Sequence, residues 1–236
     1  MTRSHDMGGR FGDGPIPRGD DESKVFESNW HARALALTLA VGALGKWNID
    51  ASRHSRERLP PKDYARFGYY EKWIGALANL MVEHGIISTD EITTGRMIEP
   101  GDPMLVDRAL LATRVEAVLR GGGPSKRNTD DATAFALGQR VTTREMAENT
   151  TVNGGHTRLP SYAAGRTGTI IMQHGAHVFP DSNAHFNGEA AEQLYTVSFR
   201  ATDLWQHPEA GSTPKSPSPQ DEVCLDLWQS YLTPAP

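Results

Sequence analysis

The hydrophobic period of this chain changes once, across the run GGGPSKRNTDDAT at residues 121–133, and a single layer of structure cannot follow both periods. Upstream, Phe26, Trp30, Leu37, Val41 and Leu44 recur at helical spacing and give one apolar face. Asp50 is placed to cap a helix over 51–59 that Pro60 and Pro61 end. Tyr70, Trp73, Ile74, Leu77, Leu80 and Met81 mark a further helix that stops at Gly85. Ser88 and Glu91 have capping-box spacing, and Pro103 is placed to start a last helix that runs to Leu119. Downstream the pattern alternates and is β-branched. Residues 139–144, 167–173, 177–179, 194–199 and 223–228 read as short strands, with one helical turn at 201–205.

The expected fold class is therefore α+β. An extended arm over 1–24 precedes a helical domain over 25–120, a linker over 121–133, and a small β-barrel or roll over 134–236. The arm is too rich in Gly and Pro for a helix or strand, and its interspersed His5, Met7, Phe11 and Ile16 suit a segment laid along a partner. A formal charge of −5 argues against broad binding to nucleic acid or anionic membranes, which needs a basic face. The longest apolar run, residues 34–44, is too short to span a bilayer. A single cysteine, Cys224, excludes an internal disulfide and fits a reducing, cytoplasmic setting.

Few residues could carry chemistry alone. The nine histidines are scattered, and the closest pair, His174 and His177, falls in a strand and glycine turn where hydrogen bonding is expected rather than metal ligation. Cys224, inside the alternation of Val223, Leu225 and Leu227, is expected to be a buried structural thiol. No nucleophile elbow, phosphate loop or dinucleotide fingerprint is present. Arg53, Arg56 and Arg58 lie together on the helix after Asp50, where a solvated basic face is one reading. Arg158 follows the sharp turn at Gly154 and Gly155.

The segment GHTRLPSYAAGRTGTIIMQHGAHVFPDSN, with the opening HDMGGRFGDGPI and the closing LYTVSFRATDLW and DLWQSYL, resembles the beta subunit of nitrile hydratase. GRTGTI within it looks like the turn-and-strand of SH3-like barrels. The resemblance covers nearly the whole chain, most densely at 5–17, 50–73, 155–183 and 194–231. It implies an enzyme that adds water to a nitrile to give the amide, a lyase in which this chain binds no cofactor. The trivalent iron or cobalt ion sits on a partner alpha subunit, held by cysteines and backbone amides. Two of those cysteines are oxidised, and beta-subunit arginines hydrogen-bond their oxygens. By motif those arginines correspond to Arg53 in RHSRERL and Arg158 in GHTRLP. A guanidinium suits the role, because its planar fork of donors matches a pair of anionic oxygens.

Tyr69, in the YYEKW segment, corresponds to a tyrosine whose hydroxyl reaches the catalytic cavity, where it would orient water or shuttle a proton. Trp73, in the same segment, is a further substrate-binding candidate, and Thr38, Ile49 and Ser52 align with positions that line the substrate channel in the family. Two alternatives stay open: a subunit like those of thiocyanate hydrolase, and an SH3-like binding module acting as a metalloenzyme assembly factor.

Overall fold

The computed structural model of the chain describes residues 5–6, 24–129, 131–205 and 218–236. The chain divides into two compact units, Pro17–Gly123 and Met1–Ile16 with Pro124–Pro236. The arm expected over 1–24 lies outside the described residues except for His5, Asp6 and Lys24, as does most of the loop at 211–220.

The first unit is helical: α1 (Asn29–Gly42), α2 (Ile49–Glu57), α3 (Pro61–Arg66), α4 (Tyr69–Glu83), α5 (Thr89–Thr94) and α6 (Ala112–Gly121). The start of α2 is capped by Asn48, whose side chain accepts the Ala51 N–H at 2.8 Å, and not by Asp50 as expected. Asp50 instead falls in the first turn, buried, where it accepts a bond from Arg53. The chain becomes helical again at the second proline, with Pro60 as the cap and Pro61 as the first residue of α3, because proline is tolerated at the first helical position. Gly85 takes the left-handed conformation (φ 65°) just past the end of α4, as a helix stop requires. Ser88 and Glu91 form the reciprocal capping box of α5. The single helix expected from Pro103 to Leu119 is instead two pieces. Asp102 caps a tight 3-10 turn, Pro103–Arg108, and the chain then extends at Ala109 (ψ 127°) before α6 begins.

The core of this unit is thin. Ala51 and Ser55 of α2 meet Ala76, Leu77 and Leu80 of α4, and the Ser55 hydroxyl donates to the Ala76 carbonyl at 3.0 Å. Small side chains at that crossing let the two helices approach closely. Further along, Met97, Ile98, Met104, Val106, Leu111 and Leu119 stay exposed.

The second unit is one antiparallel five-stranded sheet of order β4-β3-β2-β1-β5. Its strands are β1 (Arg140–Thr143), β2 (Thr167–His177), β3 (Glu192–Arg200), β4 (Glu222–Trp228) and β5 (Leu232–Pro234), with short helices α7 (Pro180–Asn183) and α8 (Ala201–Leu204) between them. The strand expected at 167–173 runs on to His177, and the separate strand expected at 177–179 is absent, since Val178 and Phe179 lie beyond the end of β2. Its register against β3 shifts twice, between Ile170 and Met172 and between Gln173 and Gly175, and each shift breaks the alternation that a reader of sequence relies on. Residues 125–127, inside the glycine-rich run, pair with the end of β2 through Val178 N–H to Ser125 O and Arg127 N–H to Ala176 O, both 2.9 Å.

Strands β4 and β5 are consecutive in sequence yet occupy opposite edges of the sheet, joined only by the 3-10 turn Gln229–Tyr231. Four inter-strand spacings amount to about 19 Å in a flat sheet. Four residue steps reach at most about 14 Å. The sheet must therefore curl. Its concave side holds Val141, Ile170, Tyr195, Val197, Phe199, Leu227 and Tyr231, all essentially inaccessible. The parity of β4 also corrects the expectation for Cys224: Leu227 lies inside with Val223 and Leu225 packed on the core, so Cys224 faces outward with Glu222 and Asp226.

Gly168 sits where β2 crosses this core. A methyl group there would lie 2.6 Å from Val197 Cγ1 and 2.7 Å from the Ser198 carbonyl oxygen. Gly168→Ala is therefore expected to destabilise the sheet unit by about 2 kcal/mol. Chemical unfolding followed by tryptophan fluorescence measures this, and an unchanged midpoint would refute the packing described.

Candidate functional site

Six of the seven residues singled out by sequence stand on the helical unit. Arg53, on α2, points its Nη1 at Asp50 Oδ1 over 2.8 Å, and its side chain remains 39% exposed. Asp50 is buried, so the ion pair ties one end of the guanidinium back to its own helix, and the other donors have no partner among the described residues. Ser52 is one residue away, and its Oγ accepts a bond from Arg56 Nη2 at 2.9 Å. The Arg56 guanidinium in turn lies 4.6 Å from the centre of the Trp73 ring. Burial lowers the pKa of Arg56 from its usual value, with Tyr69 acting in the opposite sense. Arg56 thus ties Ser52 to Trp73, a linkage that sequence reading left inside a solvated basic face.

Tyr69 opens α4 and is 66% exposed, packed edge-on to Tyr70 (5.1 Å) and tilted against Trp73 (5.3 Å). Ile49, the first residue of α2, is exposed too. Thr38 behaves differently: its hydroxyl donates to the Ala34 carbonyl one turn back at 2.9 Å and so is satisfied within α1. A cavity of about 340 Å³ opens beside Tyr69, walled by Trp30, His31 and Tyr70 with Glu27 at its edge. Ser52, Trp73, Thr38 and Ile49 do not line it.

The seventh residue, Arg158, belongs to the sheet unit and is exposed. Its guanidinium has no hydrogen-bond partner among the described residues, while its backbone N–H donates to the Tyr231 hydroxyl at 3.0 Å. That tyrosine is 1% exposed and donates in turn to Asp181, itself buried on α7. Thr157 donates to the same hydroxyl at 3.2 Å. Burial drives the Asp181 pKa up from 3.8 to about 6, against the pull of Tyr231, His156, Thr157 and Arg144. Burial, and then the adjacent Asp181, also raise the Tyr231 phenol far above its usual value. Sequence reading missed both groups. Both lie in segments that carry the family resemblance, HVFPDSN and DLWQSYL, but Tyr231 is 73 residues from the amide it holds, and no local pattern joins the two.

Guanidinium groups carry no lone pair and cannot ligate a metal. What these two arginines can do is present charged donors to an anion from outside the chain. Each is by itself a donor for anionic oxygens and not a ligand for a metal ion.

Residues 1–118 match the family model described as "Nitrile hydratase beta subunit, N-terminal", and residues 124–234 match its C-terminal counterpart. This chain belongs to the nitrile hydratase beta subunit family. Among curated relatives, the beta subunit of the low-molecular weight cobalt-containing nitrile hydratase of Rhodococcus rhodochrous is 39% identical over the full length of both chains. The beta subunit of the cobalt-containing nitrile hydratase of Pseudonocardia thermophila is 32% identical over 98% of this chain and 96% of the relative. A solved thiocyanate hydrolase from Thiobacillus thioparus covers 63% of this chain and 98% of its own at 21% identity and a TM-score of 0.34, too distant to bear on fold or function. As a nitrile hydratase subunit the chain is part of a hydro-lyase.

For this beta subunit, the raised pKa of Asp181 fixes the sign of a pH effect. Its folded value (about 6) lies above the ordinary carboxylate value, so protonation favours the fold. That contribution is complete below about pH 4 and is lost as the pH rises through about 6. Asp181→Asn, which cannot titrate, should gain about 1 kcal/mol of stability relative to the unaltered chain between pH 5 and pH 7. Paired urea titrations across that range provide the measurement. A constant difference would mean that the carboxyl is not perturbed.

Proposed function

We propose that this chain is the non-metal subunit of a nitrile hydratase that acts with an alpha subunit holding iron(III) or cobalt(III). The assembled enzyme hydrates a nitrile to the amide. The metal, when bound to the partner, supplies Lewis acidity toward the nitrile or its attacking water. This chain's part is to hold the oxygens of the partner's oxidised cysteine ligands and to close the substrate cavity.

The observation that carries this reading is the state of Arg158. It is an exposed guanidinium without a partner among the described residues, on a loop whose backbone is pinned from below. Arg53 supports it: one of its nitrogens is engaged by a buried carboxylate and the rest of the fork remains available. In this role Arg53 and Arg158 donate to the oxidised sulfur ligands. Their positive charge would favour the anionic forms, and a lysine would lack the second planar donor. Tyr69 presents a phenol at the cavity edge, where it would orient water or pass a proton to the forming imidate nitrogen. Trp73, Thr38, Ile49 and Ser52 line the channel in this reading, with Arg56 setting the position of Trp73 and Ser52.

The row of exposed apolar side chains from Met97 to Leu119 fits a chain that buries this surface in a hetero-oligomer. The strand order and the curl imposed by the link at Gln229–Tyr231 support an SH3-like description of the sheet unit. One cysteine and no internal disulfide suit the cytoplasm.

Co-expression with a candidate alpha subunit, followed by metal analysis and an amide-formation assay, tests the assignment. Arg53→Lys and Arg158→Lys should each lower kcat by about a hundredfold in a complex that still assembles. Near-normal turnover in both variants would remove the proposed role of the arginines.

A further inference from the structure

The guanidinium of Arg158 is not held by its own contacts, so its position must be set through the backbone. Three successive points pin that backbone. The Gly155 N–H donates to Val152 O at 2.8 Å, the His156 N–H donates to His185 Nε2 at 2.9 Å, and the Arg158 N–H donates to Tyr231 Oη at 3.0 Å. Gly155 has no room for a side chain, since a methyl group there would sit 2.7 Å from His185 Nε2 and 2.8 Å from Val152 O. The last point is the one nearest the guanidinium, and it is a side chain from the far end of the chain.

The Tyr231 hydroxyl has one proton and two lone pairs, and all three are engaged. The proton goes to Asp181 Oδ1, and the lone pairs accept from the Arg158 amide and the Thr157 hydroxyl. Engaging the proton fixes the rotation of the hydroxyl, which aims the lone pairs at the loop. Asp181 is itself fixed: it lies in the turn of α7, and its carbonyl accepts from Asn149 Nδ2 at 2.6 Å. The ring of Tyr231 is wedged between Phe179 (5.6 Å) and Trp228 (6.2 Å) and cannot swing away.

We infer that Tyr231 and Asp181 are positioning residues for Arg158: the carboxyl orients the phenol, and the phenol sets where the arginine leaves the loop. The inference rests on the role proposed above for Arg158. Its chemistry makes a distinction that simple packing does not. What Asp181 must provide is an acceptor for one proton, so an asparagine carbonyl serves and an alanine does not.

The test uses the assembled enzyme with its metal-bearing partner. Tyr231→Phe and Asp181→Ala should each lower kcat by about tenfold with KM little changed, and Asp181→Asn should restore most of the loss. Combined with Arg158→Lys, Tyr231→Phe should produce no further loss beyond that of the arginine variant, because both act through one group. Hydrogen exchange read by mass spectrometry on the peptide spanning 156–160 should be about tenfold faster in Tyr231→Phe. If Arg158→Lys alone proves silent, the catalytic reading of Arg158 fails, and the exchange rate alone decides the anchoring. Unchanged exchange in a folded Tyr231→Phe complex overturns the inference. So does an Asp181→Asn variant as impaired as Asp181→Ala, or a loss from Tyr231→Phe that multiplies with that of Arg158→Lys. Should Tyr231→Phe not assemble, Asp181→Ala and Asp181→Asn give the same exchange and kinetic readings.

Discussion

The bond from a loop amide to a buried phenol organises much of the sheet unit. At Tyr231 a single oxygen atom links the end of the chain, the turn after β2 and the loop before β2. Breaking one such bond while leaving both partners buried is expensive, on the order of 1–3 kcal/mol for each orphaned group. The surrounding aromatic packing of Phe179 and Trp228 keeps water out and so preserves that asymmetry. An exposed arginine loop can be stiff only when its anchor is dry.

The helical unit solves the same positioning problem by other means. Arg53 is rooted by a partner three residues earlier on its own helix, a local bond that needs no distant residue. Arg56 lies across Trp73, linking α2 to α4 through a cation–aromatic contact rather than through a large core. With only alanines, a serine and two leucines at the crossing, that unit holds little buried area of its own. Its long row of exposed apolar side chains is the counterpart of that small core.

What was legible in the sequence follows the range of the interactions. The capping box of Ser88 and Glu91 and the stop at Gly85 are settled within four residues, and both stand as the pattern predicts. The strands at 139–144, 194–199 and 223–228 were readable because β1, β4 and the stretch of β3 from Tyr195 onward keep a regular alternation. The full length of β2 was not, because two bulges interrupt its parity. Asp50 and Asn48 are both good caps by type, and only the position at which the backbone turns helical chooses between them. The expectation of a buried Cys224 fails because Val223, Leu225 and Leu227 take the inner face of β4, and strict alternation then turns Cys224 outward with Glu222 and Asp226. The arginines were visible through motif. Tyr231 and Asp181 stand in the same motif segments, but their contact with each other and with the Arg158 amide spans 50 and 73 residues and no local pattern shows it.

The link at Gln229–Tyr231 joins the two edges of the sheet and also carries the phenol that holds Arg158. Those three residues are both the clasp of the fold and the gauge of its loop. Any change in their number would loosen the clasp and turn the phenol away from Arg158 in the same stroke. Variation in chain length should accordingly be far less tolerated there than at any surface loop of the sheet.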